Sequence, residues 1–443
     1  MKNKSLKGLN ITVLGFGRSG VAAAKLVFKL GAQVLISDSL HKKREGVNAN
    51  IKTEFGGHSD KVLRSDLIIK SPGIPNNIPI LKKARKNKIP VIGEMGFVLN
   101  HTNPKKVIAV TGTNGKTTTT TLLGKMFKDA AIKNVVAGNI GLPLSSLTEK
   151  IDKKTNAILE VSSYQLEDSP KFNPNICAIL NITPDHLDHH CSMENYIKAK
   201  KKIFTNQRKN DFCILNYDDS KCRELARYCP SKVIFFSTKK ELKKGIYYKN
   251  GSFVIRIAKF HIRFQAKLKV PGMHNIENIL AATAMAIVSG IPINSIKKTI
   301  QLFKGIEHRI EYVAEINGIK YFNDSKATNV DSTRVALESF PGSIWLILGG
   351  KDKGSSYRVL QKLIKEKVKG VLLVGEAAKK IKKDLFGVVD MYDCRTINNA
   401  VKKSLYIAEK GDIVLLSPAC ASFDQFKDYE ERGRQFKKSV DGL

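Results

Sequence analysis

Over residues 1–94, short apolar runs, "ITVLG", "AQVLISD", "DLIIKSPG" and "IPVIG", alternate with segments of helical period, "SGVAAAKLVFKL" and "IPILKKARKN". Strands and helices taken in turn predict a parallel sheet with helical crossovers. The alternation restarts at "KKVIAVTG" and runs through "NAILEVSS", "NICAILNIT", "DFCILNYD" and "KVIFFST". A hairpin-like stretch, "GIYYKNGSFVIRIAKFHIRFQAKLKVPG", follows, and then two helices ending near Leu302. It starts a third time near "GIEHRIEYV", with an Asn-Gly hairpin in "YVAEINGIKYFND" and strands in "IWLILGG", "VKGVLLVG" and "DIVLLSP". The pattern predicts three α/β blocks in series, 1–94, 95–304 and 305–443, with neither a low-complexity linker nor an internal repeat.

A length of 443 residues suits such a division. No apolar run approaches the roughly 18 residues of a membrane helix. The basic-then-apolar start "MKNKSLKGLNITVLGFG" is a strand running into a glycine turn, so it reads as fold and not as a signal peptide. Seven scattered cysteines without a C-x-x-C pair suit free thiols in a reducing cytoplasm. The formal charge of +35 comes from lysines spread along the whole chain. That spread fits solvated faces better than a dedicated polyanion surface, and no nucleic-acid partner is expected.

Two glycine loops carry the chemistry. "LGFGRSG" sets Gly15, Gly17 and Gly20 as G-x-G-x-x-G after a strand and before a helix, and Asp38 closes the next strand. Glycines there let a diphosphate approach the backbone at a helix N-terminus. The block is short for a full dinucleotide site. A one-nucleotide or diphosphate pocket is therefore preferred to a nicotinamide site, with a ligand-free tight turn as the plain alternative.

The second loop, "VIAVTGTNGKTTTTTLL", departs from G-x-x-x-x-G-K-[ST]: Val110 stands where a glycine is required and the glycine is Gly112. The context of strand, turn and helix is nevertheless that of a phosphate loop. Backbone N–H groups from Gly112 to Gly115 can hold phosphate oxygens, Lys116 can reach the terminal phosphates, and the Thr117 hydroxyl can ligate Mg²⁺. Five threonines, Thr117–Thr121, are poor helix formers, so helix propensity does not account for them.

Glu160 ends the strand "NAILE", and His186 lies just past another strand end in "NITPDHLD", with Asp185 beside it. A carboxylate and an imidazole there suit two ligands of a Mg²⁺ completed by phosphates and water. In "ENYIKAKKKIF", Tyr196, Ile203 and Phe204 mark one helix face; Lys200 falls on it, whereas Lys198, Lys201 and Lys202 point elsewhere. An inward lysine must be paired, neutral or chemically altered, because burying a bare ammonium is costly.

Together "TGTNGKTTT", "LEVSSYQLE", "NITPDHLD", "Y-x-x-A-K", "EHRIE", "NDSKATN" and "SPACASFDQFKDYEERG" resemble the Mur ligases of peptidoglycan synthesis, over all three blocks. In that family the loop has this shorter form, so Val110 belongs to the strand. The resemblance implies an α/β protein of three domains: N-terminal Rossmann-like, central P-loop-type mononucleotide-binding and C-terminal Rossmann-like. It implies an ATP-dependent ligase that adds D-glutamate to UDP-N-acetylmuramoyl-L-alanine through an acyl phosphate, in the cytoplasm, as a monomer.

By the same resemblance, ATP would be held by Gly112, Thr113, Asn114, Gly115, Lys116, Thr117 and Thr118, with Asn275 and Asn278 by the adenine, His308 and Arg309 by the γ-phosphate, and Asp324. Thr117, Glu160, His186 and Lys200 would carry a pair of Mg²⁺ ions, with Lys200 carbamylated by CO₂. Lys116, His186 and Lys200 are the expected catalytic residues. Gly17, Arg18, Ser19, Asp38, Ser39 and Asn139 would meet the UDP-sugar. Lys326 and Thr328, with Asp324, would border the ATP and amino-acid sites, while Lys353, Ser422, Phe423 and Tyr429 would bind D-glutamate, where a cationic lysine and backbone or hydroxyl donors suit a dicarboxylate. Arg18 and the basic "HKKR" at 41–44 depart from the family pattern.

Overall fold

The computed structural model describes residues 5–443 apart from 41–45, 140, 258, 259, 271 and 353. Its first sheet is wholly parallel, in the order β3-β2-β1-β4-β5, with β1 at Asn10–Leu14, β2 at Gln33–Asp38, β3 at Lys52–Phe55, β4 at Leu67–Lys70 and β5 at Val91–Gly93. The helix Arg18–Lys29 packs its small face, Gly20, Ala23, Ala24 and Val27, into the core. Gly20 has no room for a side chain: a Cβ would stand 1.9 Å from the carbonyl oxygen of Gly15. The third glycine of the first motif therefore serves close packing of helix on strand.

The second sheet has nine strands in the order β14-β13-β12-β11-β10-β9-β6-β8-β7. These are β6 Lys106–Thr111, β7 Asn134–Gly138, β8 Asn156–Glu160, β9 Ile176–Ile179, β10 Phe212–Asn216, β11 Lys232–Ser237, β12 Gly245–Lys249, β13 Ser252–Ile257 and β14 Phe260–Gln265. Strands β6 to β12 pair in parallel; β12, β13 and β14 form an antiparallel meander appended to one edge. The chain leaves β6 for β7 and β8 on one side, and later fills the other side with β9 and β10. The carboxyl end of β6 beside β9 is thus a topological switch point, where open α/β sheets bind ligands.

The third sheet runs β15-β16-β20-β17-β18-β19, with β15 Glu311–Ile316, β16 Ile319–Asn323, β17 Ile344–Gly349, β18 Val368–Val374, β19 Met391–Arg395 and β20 Ile413–Leu416. Only β15 with β16 is antiparallel. Their turn is Asn317-Gly318, both at positive φ (54° and 76°), as a tight primed hairpin requires.

The chain divides into two compact units, one of residues 1–266 and 277–300, the other of 267–276 and 301–443. In the first unit the sheets of β1–β5 and β6–β14 share a core in which Val13, Ile36 and Ile69 belong with Ala109, Leu159 and Ile179. In the second, separate clusters line the two faces of its sheet, around Leu346, Leu348 and Leu415 on one side and Tyr321, Ile347 and Phe436 on the other. Among the described residues no helix is long and apolar enough to cross a membrane.

Three strands lie outside the pattern read from the sequence, as do several helices, Glu94–His101 among them. β3 is "KTEF", with no buried residue, β7 buries only Val135 and Ala137, and β19, "MYDCR", buries only Cys394. All three are edge strands, where one covered side leaves little apolar signal. The helix Glu94–His101 follows β5 directly and buries Glu94, whose carboxylate accepts the backbone N–H of Ser145 at 2.7 Å.

Candidate active site

The turn after β6 is held open by its neighbours. Thr113 N–H donates to the Asn181 carbonyl (3.0 Å), Asn114 N–H to Asn181 Oδ1 (2.8 Å), and Asn181 Nδ2 returns to the Asn114 carbonyl (3.2 Å). Thr113 Oγ1 reaches the carbonyl of Thr183 and the hydroxyl of Tyr196. The loop is thereby tied to the segment after β9. Gly115, at φ 85°, precedes the helix Lys116–Asp129, and a Cβ on it would lie 2.2 Å from Asn278 Oδ1. Here glycine is demanded both by the left-handed backbone and by crowding.

Lys116 curls back so that Nζ donates to the carbonyls of Gly112 (2.9 Å) and Thr113 (2.7 Å). Thr119 Oγ1 donates to Asn278 Oδ1 and Thr120 Oγ1 to the Lys116 carbonyl, while Thr111, Thr118 and Thr183 leave buried hydroxyls without a hydrogen-bond partner. Orphaned donors around a glycine turn at a helix N-terminus fit an oxygen-rich anionic ligand such as a polyphosphate.

Glu160 ends β8 and is 2% exposed; Asn139, itself exposed, approaches it with Nδ2 3.5 Å from Oε1. His186, in left-handed backbone (φ 53°), is half exposed, with Nε2 3.5 Å from Asp185 Oδ2 and its ring 5.2 Å from that of Tyr164.

In the helix Met193–Thr205 the buried face is Tyr196, Ala199, Lys200, Ile203 and Phe204. Lys200 is 1% exposed, and its Nζ lies 4.5 Å from the centroid of the Tyr196 ring. Among the described residues no carboxylate forms an ion pair with it. Burial holds its amine well below the usual lysine pKa; the charge of Lys116 pushes the same way and Asp185 opposes. Lys198 is exposed and Lys201 covers the ring of Tyr228 at 4.0 Å.

The donor set can be tested against Mg²⁺. The Thr117 hydroxyl and the Glu160 carboxylate are oxygen donors of the kind this ion takes, and His186 is an acceptable partner. Lys200 as an amine is not. Converted to a carbamate it becomes a carboxylate-like oxygen donor, and burial, which lowers the pKa of the amine, favours the neutral form that reacts with CO₂.

In the first glycine turn, Asp38 is buried, and its carboxylate accepts the backbone N–H groups of Phe16 (2.7 Å) and Leu40 (2.9 Å). It therefore braces the turn around Gly17, Arg18 and Ser19, of which Gly17 and Arg18 are exposed, as is Ser39.

In the second unit, His274, Arg309, Asp324, Lys326 and Ser332 line a small polar cavity. Asp324 is 4% exposed, accepts Ser417 Oγ (2.7 Å) and the N–H of Ile310 (3.2 Å), and has its carboxyl pushed up to about 7 by burial. His274 is pushed down to about 3, by burial and then by the charge of Arg309. Lys326 Nζ stands 5.9 Å from the Tyr429 ring centroid, and the buried ring of His308 lies 6.2 Å from it. Asn275 and Ser422 are buried, Thr328 is half-buried and Phe423 is 66% exposed. Lys353 and the basic 41–44 run fall outside the described residues.

Arg432 escaped the sequence reading. It is 2% exposed, and its guanidinium donates to Ser325 Oγ (2.9 Å) and to the carbonyls of Ser325 (2.7 Å), Cys420 (3.1 Å) and Ala421 (3.2 Å). It ties the loop of Asp324 and Lys326 to the loop of Ser422. The signal was available: Arg432 is at i, i+4 and i+8 with the buried Phe436 and Val440, the same face argument that found Lys200.

Family models match three stretches of the chain: the Mur ligase MurD-like N-terminal domain at 9–93, the Mur ligase middle domain at 110–286, and the Mur ligase glutamate ligase domain at 308–420. The chain is 46% identical over 456 residues to UDP-N-acetylmuramoylalanine–D-glutamate ligase of Elusimicrobium minutum, covering all of both chains. It is 45% identical to the enzyme of the same name from Koribacter versatilis, covering 98% of each. In fold it is similar to UDP-N-acetylmuramate–alanine ligase of Thermotoga maritima (TM-score 0.63, 20% identity, 98% and 99% of the two chains). It is equally similar to MurF ligase of that organism in complex with ADP (TM-score 0.63, 17% identity, 100% and 97%).

Proposed function

The chain belongs to the Mur ligase family, and on that premise we propose that it joins D-glutamate to UDP-N-acetylmuramoyl-L-alanine at the expense of ATP. The observation that carries this reading is full-length identity at 45–46% to ligases of that name. The site geometry supports it. A glycine turn rich in orphaned donors sits at the switch point of the nine-stranded sheet, near a buried lysine that a carbamate would turn into an oxygen donor of the kind magnesium takes.

We assign the UDP-sugar to residues 1–94, ATP to 95–304 and the amino acid to 305–443. Glycines 112 and 115 and their neighbours hold the ATP phosphates, with Lys116 neutralising charge on the transferred group. Thr117, Glu160, His186 and carbamylated Lys200 hold magnesium. When bound, that metal offsets phosphate charge and helps the in-line displacement. The alanyl carboxylate of the UDP-sugar attacks the γ-phosphorus and ADP leaves, because a carboxylate is inert to amines until it carries a good leaving group.

The amine of D-glutamate then attacks the acyl phosphate, and the tetrahedral adduct expels inorganic phosphate. Lys326, Thr328, Ser422, Phe423 and Tyr429 are assigned to the amino acid, with Lys326 meeting a carboxylate. Arg432 acts through the loops it ties together and so positions this group of residues. The reaction belongs in the cytoplasm, with the protein as a monomer, and serves cell-wall biogenesis and, through it, cell shape and division.

Phosphate release from ATP tests the reading. It should require Mg²⁺, UDP-N-acetylmuramoyl-L-alanine and D-glutamate together; turnover with L-glutamate but not D-glutamate would sink the assignment.

A further inference from the structure

Three side chains with metal-binding atoms converge outside the proposed magnesium donors. We propose that Glu167, His189 and His190 form a separate site for a divalent transition-metal ion of the zinc class. One ligand atom from each lies within 4.8 Å of the other two. His189 Nε2 is 2.9 Å from Glu167 Oε2, and His190 Nδ1 is 3.3 Å from Glu167 Oε1, so each carboxylate oxygen faces a different ring. Around a tetrahedral zinc ion, bonds of about 2.0–2.2 Å set neighbouring donor atoms roughly 3.3 Å apart.

The local backbone brings the three together. Glu167 ends the helix Ser163–Glu167, whose start is fixed by a capping box between Ser162 and Gln165. His189 and His190 end the helix Leu187–His190, which lies between two left-handed residues, His186 (φ 53°) and Cys191 (φ 62°). The Tyr164 ring packs against both imidazoles, at 4.2 and 5.6 Å.

His190 gives the independent sign of a missing ligand. Its side chain has no exposed surface and its Nε2 is 2.9 Å from Ser163 Oγ, yet its Nδ1 has no hydrogen-bond partner. With Nε2–H donating to Ser163, the Nδ1 lone pair is directed to the Glu167 side. Metal-bound histidines are held in the same way, by a hydrogen bond at the other ring nitrogen. His189 and Glu167 remain 17% and 24% exposed, which leaves an edge for an ion to arrive and for water to take a fourth position.

Two imidazoles and one carboxylate favour zinc over magnesium, which prefers oxygen and keeps its waters. A bound ion would fasten the helix Leu187–His190 to the helix Ser163–Glu167 and so fix the turn that begins at His186.

The test uses the full chain freed of metal and titrated with Co²⁺ and then Zn²⁺ in excess Mg²⁺. The wild type should give a visible cobalt spectrum that zinc abolishes, and zinc should raise its melting temperature. X-ray absorption of the zinc form should show two imidazoles at the metal. His189→Asn and Glu167→Gln, checked for folding by circular dichroism, should each weaken binding by about 10- to 100-fold, whereas His186→Asn should keep it. Should either variant fail to fold, the wild-type absorption spectrum decides by itself: fewer than two imidazoles overturns the site. Unchanged affinity in both variants, loss of binding in His186→Asn, or no cobalt spectrum would also overturn it.

Discussion

Lys70 and Asp168 form an ion pair between the end of the first sheet and the helix segment after β8, Nζ to Oδ2 2.7 Å, with 1% and 6% of their side chains exposed. Asn76 Nδ2 also donates to Asp168 Oδ1 (2.9 Å), and the Asp168 carbonyl accepts the N–H of Gly93 (3.0 Å). One residue thus gathers the ends of β4 and β5. Burial pushes the Asp168 carboxyl up while Lys70 pulls it down, so removing the lysine leaves a costly charge. Lys70→Met or Asp168→Leu alone should destabilise the first unit by about 3–5 kcal/mol, and the double variant by less than either. Urea denaturation measures this; a single-variant loss below about 1 kcal/mol would contradict the coupling.

Lys200→Ala should reduce ligase turnover by on the order of 100-fold, about 2.7 kcal/mol of transition-state stabilisation. Added acetate or formate should restore part of it by supplying the missing carboxylate. Lys201, which covers Tyr228 at the surface, should tolerate alanine within about twofold. Equal losses at both positions would count against a carbamate on the inward face.

Gly115 and Gly251 both sit at positive φ, 85° and 75°, but a Cβ meets Asn278 at the first and nothing within 4 Å at the second. Alanine should bring left-handed strain of about 1–2 kcal/mol at each. ATP binding should fall only in Gly115→Ala, by roughly tenfold or more, since only there must the loop move. Calorimetric titration of both variants with Mg-ATP separates crowding from strain.

The carboxyl of Asp324 titrates near 7 in the folded chain, above its ordinary value near 4, because it is buried. Between those pH values the folded state binds the extra proton. This contribution to stability is therefore full below about pH 4 and is lost as pH rises toward and through 7. Asp324→Asn should flatten the fall in stability of the second unit between pH 5 and pH 8, a difference on the order of 1–4 kcal/mol. An unchanged slope in thermal unfolding would remove Asp324 as its source.

The sequence made the interior strands and both glycine turns legible because buried parallel strands are apolar and tight turns need glycine. It also exposed the inward face of Lys200, since Tyr196, Ile203 and Phe204 define that face within one helix. β3, β7 and β19 stayed hidden because edge strands need few apolar residues. Lys70 stayed hidden for another reason. Its burial is compensated by Asp168, far away in sequence, which no local pattern records. Arg432 lies on a helix face that its spacing to Phe436 and Val440 does mark, but its partner Ser325 is 107 residues away. The convergence of Glu167 on His189 and His190 likewise depends on how two short helices meet.

The bend of Lys116 onto the carbonyls of Gly112 and Thr113 makes the loop its own competitor. On the proposed assignment of this loop to ATP, an arriving nucleotide exchanges those two internal bonds for its phosphates, an exchange that a ligand without phosphates does not offer. Adenosine would leave the lysine where it is. On that assignment the loop discriminates by charge before any contact with the base is made, and a neutral nucleoside analogue would start without that source of affinity.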